Sequence, residues 1–509
     1  MKKNTLLWIS LLLVLAVLSC KKQKKQDTDI LTFKFIQVND VYEIAPLSGG
    51  AYGGMARIAY VRDSIAKENP NTFLFMAGDF LNPSLLGTIK VNGERLKGKQ
   101  MIEVMNAMNF DLVTFGNHEF DIKENELQQR LNESNFAWMS SNVRHITQND
   151  TLPFQIQKLH DTIAVADTFV ISVKEGKEEV KIGLLGTTLP SNPKNYVYYG
   201  DIYQEAQRAY KTLKNKVDVV VGLTHLEIEQ DQELAKKIPE IPFIMGGHEH
   251  NAMLVKEGTT TIAKADANAK SLYVHTFSFN TKTKALTIDS ELVFIDEKTP
   301  SNPKVEAIVG KWTSLLDEKI KELIDDPNEV IYTAENPLDG TDSASRSIQT
   351  NLGDIITQAM AWSYDNKVDA ALVNGGSIRV DDMLPAAVSG MDIFRALPFG
   401  GGVLKVEIKG QLLKEVLDYG KSKRGKGAYL QRFNITEDTQ GNWLINQKPI
   451  NPDKIYWVAF SDFLLKGYDI SFLTPDNKGV LSVYKPNEEE AAADIRKAII
   501  LYLKQKNKE

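Results

Sequence analysis

One cysteine and seven histidines are few for a chain of 509 residues. The single cysteine, Cys20, excludes an intrachain disulfide and any cysteine-rich zinc or iron–sulfur site. Basic charge is not in excess: 60 Lys+Arg stand against 66 Asp+Glu, a formal charge of −6. That balance offers no electrostatic footprint for duplex nucleic acid. No apolar run beyond residue 18 is long enough to cross a bilayer, and there is no internal repeat or heptad pattern. What remains is ordinary globular composition, 43% hydrophobic and 25% charged, which excludes disorder along the whole chain. At ~100–200 residues per domain the length suggests two to four domains.

The amino terminus reads as an export signal. Lys2 and Lys3 precede Leu6–Leu18, whose only polar residue is Ser10. As a helix that run spans about 20 Å, short of a ~30 Å hydrocarbon core. Residues 1–19 are therefore expected to be a signal peptide and not a stable span. Val17-Leu18-Ser19-Cys20 resembles a bacterial lipobox, which implies a lipid on Cys20. Residues 20–30, with Lys21, Lys22, Lys24 and Lys25, read as a hydrated tether. The expected location is the cell envelope, periplasmic or at the cell surface, with membrane contact only through that anchor.

From Thr32 onward, short β-rich runs alternate with longer amphipathic ones. Thr32–Val38, Thr72–Ala77, Leu112–Phe115, Lys181–Leu185, Val217–Leu223 and Ile241–Met245 read as buried strands. Lys99–Asn109 and Tyr203–Leu213 read as helices between them, so residues 31–300 are expected to form a layered α/β domain. Residues 301–327 form a connector: Ser301-Asn302-Pro303 opens a helical pattern with Val305, Ile308, Trp312, Leu315 and Leu316 on one side. A second α/β unit fills 328–509.

The chemistry lies at the carboxyl ends of the strands. Asn39-Asp40 ends the first, Gly78-Asp79 the second, and Gly116-Asn117-His118-Glu119-Phe120-Asp121 the third. Thr224-His225 and Gly246-Gly247-His248-Glu249-His250 come later. Strand carboxyl ends are where loops converge on ligands in open α/β sheets. Any one Gly-Asp is ordinarily a turn. Yet four of the seven histidines fall inside these segments, while His145, His160 and His275 read as surface or packing residues. An oxygen and imidazole set without thiolates suits Zn, Mn or Fe, and is about large enough for two ions.

These segments resemble the calcineurin-like metallophosphoesterases, and Asn-His-Glu-Phe-Asp more closely the 5′-nucleotidase family. The resemblance implies an αββα sandwich joined by the linker helix to a substrate-binding α/β domain. It also implies two divalent ions bridged by Asp79, with Asn117, His225 and His248 on one and Asp40 and His250 on the other. His118 matches the catalytic histidine, with Asp121 holding its ring. One departure stands out: the family reads Asn-Asp-x-His where this chain has Asn39-Asp40-Val41-Tyr42. Tyr42 either ligates as phenolate, above all to a ferric ion, or packs without ligating. Glu43 is a possible substitute whose strand geometry directs it the other way.

The second unit carries matching motifs. Asn351-Leu352-Gly353-Asp354 comes after Arg346, a substrate-arginine position, and Asn374-Gly375-Gly376-Ser377-Ile378-Arg379 resembles the family's anion-gripping block. Phe399 and Phe463 stand at the two positions of an aromatic base clamp, against the alternative of two core phenylalanines. Asp469 keeps the acid expected on a ribose hydroxyl, but Tyr468 and Ile470 replace family glycines. The expected function is release of phosphate from nucleoside 5′-monophosphates or related phosphate esters. Two other readings stay open. One is a nucleotide-sugar or cyclic-nucleotide phosphodiesterase. The other is a nucleotide-binding lipoprotein whose first metal site is impaired at Tyr42.

Overall fold

The computed structural model describes residues 29–91, 93–191, 194–321 and 324–508. The signal segment, Cys20 and the tether up to residue 28 lie outside the described residues. All six expected strands form. Ile30–Val38 lies inside a six-stranded sheet, antiparallel to Ser271–Asn280 and parallel to Thr72–Met76, with Leu112–Thr114 and Ala137–Met139 beyond. Glu178–Leu185, Val219–Leu223 and Phe243–Met245 run parallel in a second six-stranded sheet.

Alternation along each strand explains why the two sheets stack. Leu31, Phe33 and Phe35 face the second sheet, while Ile36 and Val38 face the helices outside. Phe33 stacks on Phe277 at a ring-centroid distance of 4.9 Å, and Phe35 lies 4.8 Å from the same ring. Met55–Glu68 and Lys99–Met108 cover one outer face, and Ile202–Leu213 and Ile228–Lys237 the other. The result is the αββα sandwich.

The connector helix, Pro303–Lys321, packs on Met55–Glu68 and Lys99–Met108 through Val305, Val309, Trp312, Leu316 and Ile320. Ile308 and Leu315, expected on that apolar side, are only half-buried. Trp312 Nε1 donates to Glu103 Oε2 at 3.0 Å, tying the helix to the first unit. The second unit is built on a five-stranded sheet ordered Leu430–Phe433, Ala370–Asn374, Ile455–Ser461, Val403–Lys409, Val480–Tyr484. Among the described residues no helix is long and apolar enough to cross a membrane.

Candidate active site

Three turns at the strand ends are held in backbone conformations that side chains seldom adopt. Asp40, Asp79 and His248 have φ of 53°, 56° and 86°. Non-glycine residues there cost of order 1–3 kcal/mol each and persist only where surrounding contacts enforce them. The contacts are visible: Asp40 N–H donates to Gly78 C=O at 3.0 Å, and His248 N–H to Asp40 Oδ2 at 2.9 Å. Close approach also explains two glycines. A Cβ on Gly116 would lie 2.1 Å from Asp79 Oδ1, and one on Gly247 would lie 2.2 Å from Ala77 C=O.

These turns bring the candidate ligands together. Asp40, Asp79 and His225, all buried, offer ligand atoms within 4.8 Å of one another. His225 Nε2 lies 3.2 Å from both Asp79 Oδ2 and Asn117 Oδ1, while its Nδ1 hydrogen-bonds Ala77 C=O at 2.8 Å. The Ala77 carbonyl accepts only, so the proton sits on Nδ1. His250 Nε2 is 3.5 Å from Asp40 Oδ1, and the His225 and His248 rings are 5.4 Å apart. Tyr42 enters the same cluster, its hydroxyl 3.3 Å from Asp79 Oδ2 and 3.2 Å from His250 Nε2. Glu43 turns away to accept the Leu85 N–H at 3.1 Å.

The electrostatics are those of an anionic pocket. Burial alone would lower the pKa of His225, but the Asp79 and Asp40 charges outweigh it and push it up to about 9. Burial, reinforced by the charge of His225, pushes His248 down to about 4, which leaves its ring neutral near pH 7. Burial first, then the charges of Asp79 and Asp40, drives the Tyr42 phenol well above its usual range. Asp40 Oδ1 is buried and has no hydrogen-bond partner. An orphaned buried carboxylate oxygen is costly, and a cation is the partner that resolves it. The donor set fits a divalent ion.

Beside the cluster, His118 N–H donates to Asp79 Oδ1 at 2.7 Å, and His118 Nδ1 meets Asp121 Oδ2 at 2.7 Å. Burial would depress His118, but the Asp79 charge and the Asp121 hydrogen bond prevail and raise it. Glu119, a residue that the motif leaves without a role, organises the turns. Its Oε2 accepts the N–H groups of Gly116 and Asp79 at 2.6 and 2.8 Å. Its Oε1 accepts those of Phe80 and Leu81 at 2.8 and 3.0 Å. Glu119→Gln would set an amide donor against two of these donors. Each unsatisfied buried group costs about 1–3 kcal/mol, so a loss of roughly 2–5 kcal/mol is expected in chemical denaturation. A variant as stable as the parent would contradict this.

From the second unit, Arg379 reaches Asp121 Oδ2 at 3.3 Å, and its guanidinium lies 5.8 Å from the half-exposed Phe399 ring. Arg346 pairs with Asp342. Tyr42, His118, Asp342, Arg379 and Asp381 line a common cavity. Asn374 Nδ2 donates to Asp469 Oδ2 at 2.7 Å, so these two lie together. Phe463 has Tyr468 as its ring neighbour at 5.7 Å, with Tyr468 75% exposed.

Residues 33–252 match the calcineurin-like phosphoesterase family, and residues 330–474 match the 5′-nucleotidase C-terminal domain. A bovine 5′-nucleotidase (Bos taurus) is 24% identical over 483 residues, covering 84% of this chain and 80% of that protein. The trifunctional nucleotide phosphoesterase protein YfkN of Bacillus subtilis (strain 168) is 27% identical over 460 residues. That match covers 80% of this chain but only 30% of YfkN. The crystal structure of a 5′-nucleotidase precursor from Thermus thermophilus superposes with a TM-score of 0.68 at 22% identity, covering 94% of this chain and 97% of that one. Residues 33–252 thus match a calcineurin-like phosphoesterase domain and residues 330–474 a 5′-nucleotidase C-terminal domain, a pairing that supports a phosphoric ester hydrolase.

Proposed function

We propose that the protein is a metal-dependent phosphohydrolase that releases phosphate from nucleoside 5′-monophosphates or related nucleotide esters. The observation carrying this reading is the buried Asp40–Asp79–His225 cluster, with an Asp40 oxygen that accepts no hydrogen bond. Asp79 would be shared between two ions, with Asn117, His225 and His248 serving one and Asp40 and His250 the other. When bound, such ions, Zn, Mn or Fe, would lower the pKa of an attacking water and offset charge on phosphoryl oxygens. The remaining work falls to the chain's own groups. His118 carries a proton for the leaving oxygen, and Asp121 at 2.7 Å keeps that proton-bearing ring oriented. Arg379 and Arg346 offer planar guanidinium forks to the phosphate, exchanging their present carboxylate partners for it. Phe399 and Phe463 would stack the base, and Asn374 and Asp469 would hold the sugar. Phosphate release from AMP with added Mn or Zn tests the reading, and no release from any nucleotide would refute it. UMP appearing before phosphate from a UDP-sugar would instead mark a phosphodiesterase. A lipid on Cys20, placing the enzyme at the cell envelope, is part of the proposal; mass spectrometry finding a free Cys20 thiol would remove it.

Tyr42 favours one competing reading, a nucleotide-binding lipoprotein. Its hydroxyl bridges Asp79 and His250, two of the oxygen and nitrogen donors a first ion would need. In the phosphohydrolase reading Tyr42→His raises affinity for that ion by about 10-fold or more, read by competition with a chromophoric chelator. About two ions per wild-type chain would dismiss the binding-protein reading. Tight nucleotide binding with less than one ion and no turnover would establish it.

A further inference from the structure

The loop after Ala370–Asn374 does more than present Arg379. Within four residues it makes three charged contacts to the phosphoesterase domain. Arg379 reaches Asp121 at 3.3 Å. Asp382 accepts Lys270 Nζ with both oxygens, at 3.0 and 2.9 Å. Asp381, between them, points at the candidate metal centre: its Oδ2 lies 2.9 Å from His250 Nδ1, and its backbone carbonyl lies 3.1 Å from the same nitrogen.

The loop is built to hold that aim. Asp381 has φ 42°, in the left-handed region, and its other oxygen accepts the Asp342 N–H at 2.7 Å. Val380 is buried against Gly340, where an added Cβ would lie 2.4 Å from Val380 Cγ1. Gly340 N–H also donates to Asp382 C=O at 3.2 Å. The carboxylate is thus fixed at one oxygen, with the second left for His250.

Two acceptors on Nδ1, a carboxylate and a carbonyl, leave only one arrangement of the imidazole. Nδ1 carries the proton, and Nε2 is turned toward Asp40 Oδ1 at 3.5 Å and the Tyr42 hydroxyl at 3.2 Å. Ligating histidines ordinarily have their second nitrogen held by a carboxylate or carbonyl from nearby. For His225 that partner is Ala77 of its own domain. For His250 it comes from a residue 131 positions away in the other domain.

We propose that Asp381 is a positioning residue that fixes His250 for a cation, so that one of the two candidate metal positions is fully oriented only when the C-terminal domain is docked. This rests on the metal-dependent reading above. The ion served by His250 then binds in step with the presence of the domain that carries the substrate arginines. The ion served by His225 has no such dependence.

The test uses the full chain and Mn titrated against a chromophoric chelator. Asp381→Asn keeps an acceptor for the Asp342 N–H and tolerates the left-handed backbone, but removes the charge facing His250. It is expected to weaken one of two Mn ions by about 10–100-fold and leave the other unchanged. Lys270→Met removes the neighbouring ion pair without touching His250, and should keep both ions within about 3-fold of the parent. Wild-type affinity for both ions in Asp381→Asn would overturn the proposal, as would equal weakening by the two variants. Failure of the wild-type chain to bind any of Mn, Zn or Fe in the same titration would overturn the phosphohydrolase reading and this inference together.

Discussion

His118→Ala is expected to lower kcat for phosphate release from AMP by about 10²–10⁴-fold, the usual contribution of a positioned general acid or base. The metal content should not change. The contact from position 118 to Asp79 is made by the backbone N–H at 2.7 Å, which alanine keeps. Measured ion stoichiometry equal to the parent's, beside the lost turnover, separates loss of proton transfer from loss of the site. Unchanged turnover would take His118 out of the mechanism. The pH profile adds a sign. As an acid His118 must hold its proton, so activity falls as pH rises through its pKa. Burial works to lower that pKa, and the Asp79 charge and Asp121 hydrogen bond raise it, so Asp121→Asn removes one of the raising influences. The alkaline limb is therefore expected to move to lower pH in Asp121→Asn; a limb that stays in place would mean another group sets it.

The second large effect is expected at Asp79. Its Oδ2 faces His225 Nε2 at 3.2 Å and the Tyr42 hydroxyl at 3.3 Å, while Oδ1 accepts from His118. Asp79→Asn keeps the size of the side chain, and asparagine tolerates φ 56°. It removes the one negative charge placed among all three neighbours. Metal affinity should fall by more than about 100-fold, beyond what loss of a supporting partner costs. Turnover should fall at least on the order of 10²–10³-fold. Calorimetric Mn titration and the AMP assay on the same preparation check both. An Asp79→Asn protein that binds two ions with wild-type affinity would show that the cluster is not where the metal sits.

The elements that could be read along the chain are those whose signal is local. Phe33, Phe35 and Phe75 announce buried strands by alternation, and Gly78-Asp79 or Gly116-Asn117-His118 lie in a few consecutive positions. Partnerships across long separations were not legible. Asp381 sits two residues past a block read for its arginine, and nothing in its neighbourhood points to His250. Lys264 carries no motif signal, yet it is fully buried and its Nζ donates to Leu226 and Gly247 carbonyls at 2.6 and 2.9 Å while pairing with Asp231 and Glu249. It braces the His225 and His248 turns from behind, a role that appears only once two strands of one sheet are adjacent. Phe399 and Phe463 could be read only as candidate positions, and the ring beside Phe463, Tyr468 at 5.7 Å, is one that spacing does not announce.

The left-handed backbone at Asp40, Asp79 and His248 has a consequence for the protein as material to be improved. Each is a place where glycine would relax the chain and where the native side chain is retained against local preference. Screening a mutant library for heat resistance alone should therefore enrich replacements at these turns, yielding sturdier molecules with nothing left to grip a cation. Hardening this scaffold without emptying it requires selecting on turnover in the same round.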